Sequence, residues 1–176
     1  MSDIKTVTDN QDRVLKRLAA ELQEVMVPAM VRDKDEVIPS PVLTVMYSEV
    51  GSELNEVIGE YTFLPVSVDD EVQIFSSIVT MTDELPDNNL DELRKAVSRL
   101  DFYLPLGSIG MDIEDKRLGF KFGVPIPVTT SEDTLFELVN MYITTGYMQV
   151  DRYIGMLLKI AQGEAKAEEL LGDFED

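Results

Sequence analysis

The run Ser108–Val128, SIGMDIEDKRLGFKFGVPIPV, decides the fold. Ile109, Met111 and Ile113 alternate with Gly110, Asp112 and Glu114. After a polar turn, Leu118, Phe120, Phe122 and Val124 alternate with Gly119, Lys121 and Gly123. Alternation at period two sends successive side chains to opposite faces of a sheet, so the run predicts a β-hairpin with one apolar face and one face of glycine and charge. The apolar face needs a cover, and Phe120 and Phe122 are expected to be buried with Lys121 exposed.

The cover follows at once, because Thr129–Gln162 has helical periodicity. Leu135, Leu138, Val139, Tyr142, Ile143, Val150, Tyr153, Ile154, Leu157, Ile160 and Ala161 share one side, and Tyr147 and Leu158 widen the apolar arc to ~200°, well beyond the stripe of an ordinary surface helix. Gly146, after Thr144 and Thr145, predicts a kink or break that divides this arc between two surfaces. Thr130 is a candidate cap, with Asp133 three residues later. Upstream of the hairpin, Pro86–Asn89 is turn chemistry opening a helix over Leu90–Leu100, with Asn89 and Glu92 at capping-box spacing. Phe102 and Tyr103 are expected to be buried at its end.

Three strands precede that helix: Val42–Tyr47, Ile58–Val68 and Val72–Thr82. Pro65 suits an edge, a bulge or a strand end. The third strand is apolar on both parities and reads as central, partly covered on both faces. A first helix runs from Asp12 on the stripe Val14, Leu15, Leu18, Leu22, Val25, Met26 and Ala29, with Asp9 or Asn10 as cap and Pro28 as stop. The predicted organisation is a flexible N-terminus over residues 1–11, one α+β domain over 12–162 and an acidic tail over 163–176. The domain holds an antiparallel five-stranded sheet in the order α-β-β-β-α-β-β-α.

Composition narrows the function. The 176 residues contain no cysteine, which excludes structural disulfides and thiolate metal sites, and no histidine, which removes the commonest general base and metal ligand. The start MSDIKTVTDNQD lacks the apolar core of a secretory signal and no run is long enough for a membrane span, so a cytoplasmic protein is expected. Asp and Glu number 34 against 15 Lys and Arg, a formal net charge of −19. Such a charge repels phosphate backbones and anionic membranes, and it serves either solubility or attraction of a basic partner.

Carboxylates are the abundant reactive groups. Asp69, Asp70 and Glu71 form the best cluster for a cation, but a run at a hairpin turn also reads as a solvated turn. Asp87, Asn88, Asn89 and Asp91 resemble the start of a calcium loop and fail at Glu92, where that loop requires glycine. Gly107, Gly110, Gly119 and Gly123 match no phosphate-binding pattern and instead permit close approach of another chain. Met26 with Met30, and Met141 with Met148, sit at helical spacing and read as core filling over an adaptable binding surface. No catalytic, cofactor or metal residue is assigned.

The helix NLDELRKAVSRL, the hairpin IGMDIEDKRLGFKFGVPIPV and the run TTSEDTLFELVNMYITTGYMQVDRYIGML together resemble the type III secretion chaperone-like fold, and more closely its YbjN-like branch. That resemblance implies a small acidic protein, often dimeric, that binds another polypeptide without chemistry. The expectation is a non-enzymatic, chaperone-like or regulatory binding module, a homodimer without cofactor, nucleic acid or membrane. Its contact surface is expected to be the surplus arc around Ile154 and Leu157 with the sheet beside it. The alternatives are an acidic immunity or inhibitor protein for a basic partner, and a carboxylate-dependent metal-binding enzyme.

Overall fold

Strands form in each stretch where alternation predicts them, although the one expected over Ile58–Val68 runs Asn55–Phe63 and stops short of Pro65, and one more joins. In the computed structural model, which describes residues 4–36, 38–67 and 70–170, the elements in chain order are α1 (Ile4–Glu24), β1 (Ala29–Arg32), β2 (Val42–Val50), β3 (Asn55–Phe63), β4 (Val72–Thr82), α2 (Leu90–Tyr103), β5 (Ser108–Asp112), β6 (Arg117–Pro127) and α3 (Glu132–Gln162). The class is α+β with an open antiparallel sheet. The sheet has six strands, ordered β1-β2-β3-β4-β6-β5, instead of the expected five. The addition is β1, which pairs antiparallel with β2 through Met30 opposite Thr44. The first helix therefore ends at Glu24, short of Pro28, and Ala29 belongs to a strand.

The chain divides into two compact units. The first comprises Met1–Tyr47, Ile58–Ile78 and Phe122–Thr144. Here α1 begins at Ile4, ahead of the expected Asp12, because Val7 and Gln11 extend its buried stripe through Val14, Leu15 and Leu18. Asp9 and Asn10 lie inside the helix and cap nothing. Gln11 donates to Gln73 Oε1 of β4 at 2.9 Å, and both side chains are buried. A buried amide pair satisfies polar atoms that would otherwise be desolvated at a cost, so it fixes where α1 lies on the sheet. Around it Tyr61, Phe63, Phe75 and Phe122 form an aromatic core. The Phe63 and Phe75 centroids are 5.2 Å apart, and Tyr142 of α3 meets Phe122 at 6.4 Å. Arg17 lies 3.7 Å from the Phe136 ring centroid, and Arg13 pairs with Glu132 at 2.7 Å, tying α1 to the start of α3.

The second unit comprises Ser48–Val57, Val79–Lys121 and Thr145–Asp176. Leu93, Ala96, Val97 and Leu100 give α2 its buried stripe, and α2 packs against β5. Asp101 accepts the Ile109 N–H at 2.7 Å, so the helix end holds the hairpin. The hairpin pairs Ile109 with Phe120 and Met111 with Leu118. Phe120 and Phe122 are buried and Lys121 is exposed, as the alternation predicts. Ile113 departs from that reading: β5 ends at Asp112, and Ile113 stands exposed in the turn. Gly51 adopts φ +69 and donates its N–H to Asp151 at 2.8 Å; a Cβ there would fall 2.6 Å from Ile154.

α3 runs unbroken through Gly146. Its cap is Ser131 instead of Thr130: the Thr134 N–H faces Ser131 Oγ and the Leu135 N–H donates to the Ser131 carbonyl at 2.8 Å. Asn89 precedes α2 at φ 63 without a side-chain cap bond, so the expected capping box is not made. α3 ends in a Schellman motif, with Gly163 at φ +83 donating to Ile160 and Glu164 to Lys159. α1 ends in the same pattern, Met26 donating to Gln23 and Val27 to Leu22, but with Met26 at φ 61 in place of glycine. A left-handed residue with a Cβ is strained, and Met26, 90% exposed, gains no burial in return. Met26→Gly is therefore expected to raise stability by about 0.5–1 kcal/mol in urea unfolding, strain relief outweighing the entropy of an added glycine; a loss of stability contradicts this account of the α1 terminus.

Candidate functional site

In the first unit every strand buries one parity and exposes the other. β1 buries Ala29 and exposes Met30 and Arg32; β3 buries Tyr61 and Phe63 and exposes Ile58 and Glu60; β4 buries Gln73, Phe75 and Ser77 and turns out Val72, Ile74, Ser76 and Ile78. α1 and the first half of α3 cover the buried parity. Nothing among the described residues covers the other. Met30, Met46, Ile58, Val72 and Ile78 remain 44–63% exposed on it. A solvated face of an antiparallel sheet ordinarily alternates to polar side chains, so these exposed apolar ones make this face the candidate site.

The floor of this face has relief. Gln23, Pro28, Ala29, Met30, Thr44 and Met46 line an open hollow of about 290 Å³. Gly123 supplies a second low point, where an added Cβ would meet Ile74 at 3.7 Å. Methionine side chains flanking a hollow can repack around an irregular partner. The charge on the face is balanced, with Arg32 and Glu60 as its ionic residues in this unit, on a chain of net charge −19.

Several expected sites change with the structure. Met26, Met30, Met141 and Met148 are all at least half exposed, so none fills the core. The surplus arc of α3 is consumed internally, since Ile154 and Leu157 are each fully buried; the helix has no free apolar side at those residues. Phe102 and Tyr103, expected inside, stand 84% and 54% exposed, because α2 continues to Tyr103 and carries them past the buried stripe. β4 is central, between β3 and β6, as its two apolar parities predict, and its second parity is half-buried at Ile74, Ser76 and Thr80 and exposed at Val72 and Ile78. The sheet was expected to share the contact surface with the arc of α3; the structure leaves the sheet face open and buries the arc at Ile154 and Leu157.

The acids do not converge. Asp69 lies outside the described residues, Asp70 accepts the Ser67 N–H, and among the described residues no group of three or more His, Cys, Asp or Glu is placed to hold a metal ion. Glu92, read as a capping partner, accepts the Ala167 N–H at 3.0 Å and pairs with Lys95 at 3.0 Å. Tyr61 and Tyr47 share a hydroxyl contact of 2.9 Å, and burial first, then Tyr47, raises the Tyr61 phenol well above its ordinary range. A phenol held neutral in this way is a poor base or nucleophile. Burial also raises the Asp101 carboxyl, against the opposing pull of the Ile109 N–H and Lys121. Ser77 Oγ is buried without a hydrogen-bond partner among the described residues.

Among the described residues no helix is long and apolar enough to cross a membrane. The chain matches no protein-family model and no curated protein sequence.

Glu92 closes the second unit by holding the segment that follows α3. Its carboxyl is lowered below its ordinary value, chiefly by the Ala167 N–H and then by Lys95. A folded-state value below the unfolded one contributes stability above the ordinary carboxylate range, which is lost as pH falls through and below that range. Glu92→Ala is expected to speed hydrogen exchange of the Ala167 amide roughly fivefold at neutral pH and to remove the loss of its protection, relative to the free amide, on acidification; unchanged protection contradicts the tether.

Proposed function

We propose that the protein is a non-enzymatic protein-binding module that works as a homodimer through the open sheet face of its first unit. One observation carries this reading: Met30, Met46, Ile58 and Ile78 stand exposed on a sheet face whose other side is fully used as core. Copies of net charge −19 repel each other, and the repulsion is smallest where the surface carries no excess of acid. The face has one cation and one anion, Arg32 and Glu60. Depletion of charge at the centre, with methionine enriched, is the composition of an interface core. A surface built for a basic partner would instead be lined with carboxylates. The reading agrees with what the resemblance to the YbjN-like branch of the secretion chaperone-like fold implies, a dimer that binds polypeptide.

Sedimentation equilibrium at micromolar concentration tests it. The expected result is a dimer that tightens as salt rises from ~50 to ~500 mM, because screening removes like-charge repulsion and leaves apolar burial intact. Ile58→Lys or Ile78→Glu is expected to weaken association by about 30-fold or more, with unfolding little changed because both side chains are exposed. A monomer at every salt concentration contradicts the reading. Capture of a basic protein that weakens with salt, without self-association, would favour the acidic inhibitor instead.

A further inference from the structure

The turn from α1 into β1, residues 25–31, reads VMVPAMV, without a charge, on a chain of net charge −19. Val25 and Met26 project from it, 67% and 90% exposed. Hydrogen bonds hold them there: Val25 donates to Leu22, Met26 to Gln23 and Val27 to Leu22. Met26 keeps φ 61, a conformation that glycine adopts freely and that a Cβ strains. The fold gains nothing from a methionine at this position, so the side chain is free to serve a contact outside the fold.

Beside this knob the same corner carries a hole. The hollow of about 290 Å³ is walled by Gln23 and Pro28, on either side of Met26 in sequence, with Met30 and Met46 beyond; Met26 itself does not line it. Glu24 and Arg32 stand at the two ends of the uncharged run. Both are exposed, and neither makes an ion pair among the described residues.

We propose that Met26 of one copy seats in the hollow of a second copy, and reciprocally, across a two-fold axis; the inference rests on the dimer reading above and names its contact. A two-fold interface is self-complementary, so a corner holding both halves of a knob-and-hole pair is closed by its own copy. The axis sets the two runs in opposite directions and brings the Glu24 end of each against the Arg32 end of the other. Unlike charges at the rim and none at the centre select a second copy. A basic partner would meet Arg32 and an acidic one Glu24, each with like charge. Because the turn is already held by its own hydrogen bonds, seating Met26 costs little ordering.

Sedimentation equilibrium of the full chain and its Met26 variants tests the proposal. Met26→Gly is expected to weaken association about tenfold or more, while its urea midpoint, read at concentrations where the chain is dissociated, rises. Met26→Leu keeps an apolar knob of similar size and is expected to associate within about threefold of the parent. A purely structural role of Met26 would not move stability and association in opposite directions. The chain has no cysteine, so a mixture of Met26→Cys and Thr44→Cys chains is expected to be joined by a short bis-maleimide in higher yield than either variant alone. A dimer unmoved by Met26→Gly yet dissociated by Ile58→Lys overturns this inference and leaves the sheet-face dimer standing. A chain monomeric at every concentration and salt overturns both. Equal weakening by Met26→Gly and Met26→Leu, or no cross-link above that of the single variants, also overturns the seating of Met26 in the hollow.

Discussion

Phe75 cannot be buried without turning Ile74 and Ile78 outward. Strand geometry alternates side chains between faces, and β4 carries apolar residues on both parities. The aromatic core of the first unit uses one parity, fixed against α1 by the Gln11–Gln73 bond. The other parity, with Val72, Ile74, Ser76 and Ile78, then turns away from that core as a direct consequence. A one-residue change of register would exchange the two sets and place Gln73 and Ser77 outside, but it would empty the core of Phe75. The orientation of the exposed face is thus coupled to the core, because any shift of register that moves one set of side chains moves the other.

Charge sets the second constraint. A chain of net charge −19 stays soluble and resists close approach by a second acidic surface. Several of its cations are spent locally: Arg13, Lys16 and Arg17 pair with carboxylates around α1, Arg94 and Lys95 pair within α2, and Lys116 and Lys159 pair with Asp87 and Glu53. Against that background, the sheet face of the first unit, with Arg32 and Glu60 as its ionic residues, carries no excess of acid and suits a surface as charge-poor as itself.

Much of this was legible in the residues. The hairpin, its buried Phe120 and Phe122, the exposed Lys121 and the α+β class follow from period-two and helical patterns that packing reinforces. β1 was not, because AMVR is a short run behind Pro28 and owes its pairing to β2 across a loop. The break expected at Gly146 failed because flanking residues on α3, Ile143 and Val150 among them, are buried, and that burial outweighs the modest helix penalty of one glycine. The capping box failed because Asn89 took a left-handed conformation and Glu92 was drawn to Ala167, a partner distant in sequence. The open face of the sheet was readable only in part. Its apolar parity is plain in VQIFSSIVTMT, but whether a helix covers it depends on how the arc of α3 is divided, which tertiary packing decides.

Methionine oxidation footprinting tests the central claim most directly, because the chain carries its own controls. Met30 and Met46 lie on the open sheet face, whereas Met141 and Met148 are comparably exposed on α3. Mild peroxide treatment across a dilution series, read by mass spectrometry, is predicted to show Met30 and Met46 protected at high protein concentration and reactive on dilution, with Met141 and Met148 reactive throughout. Equal oxidation of all four at every concentration would contradict the account.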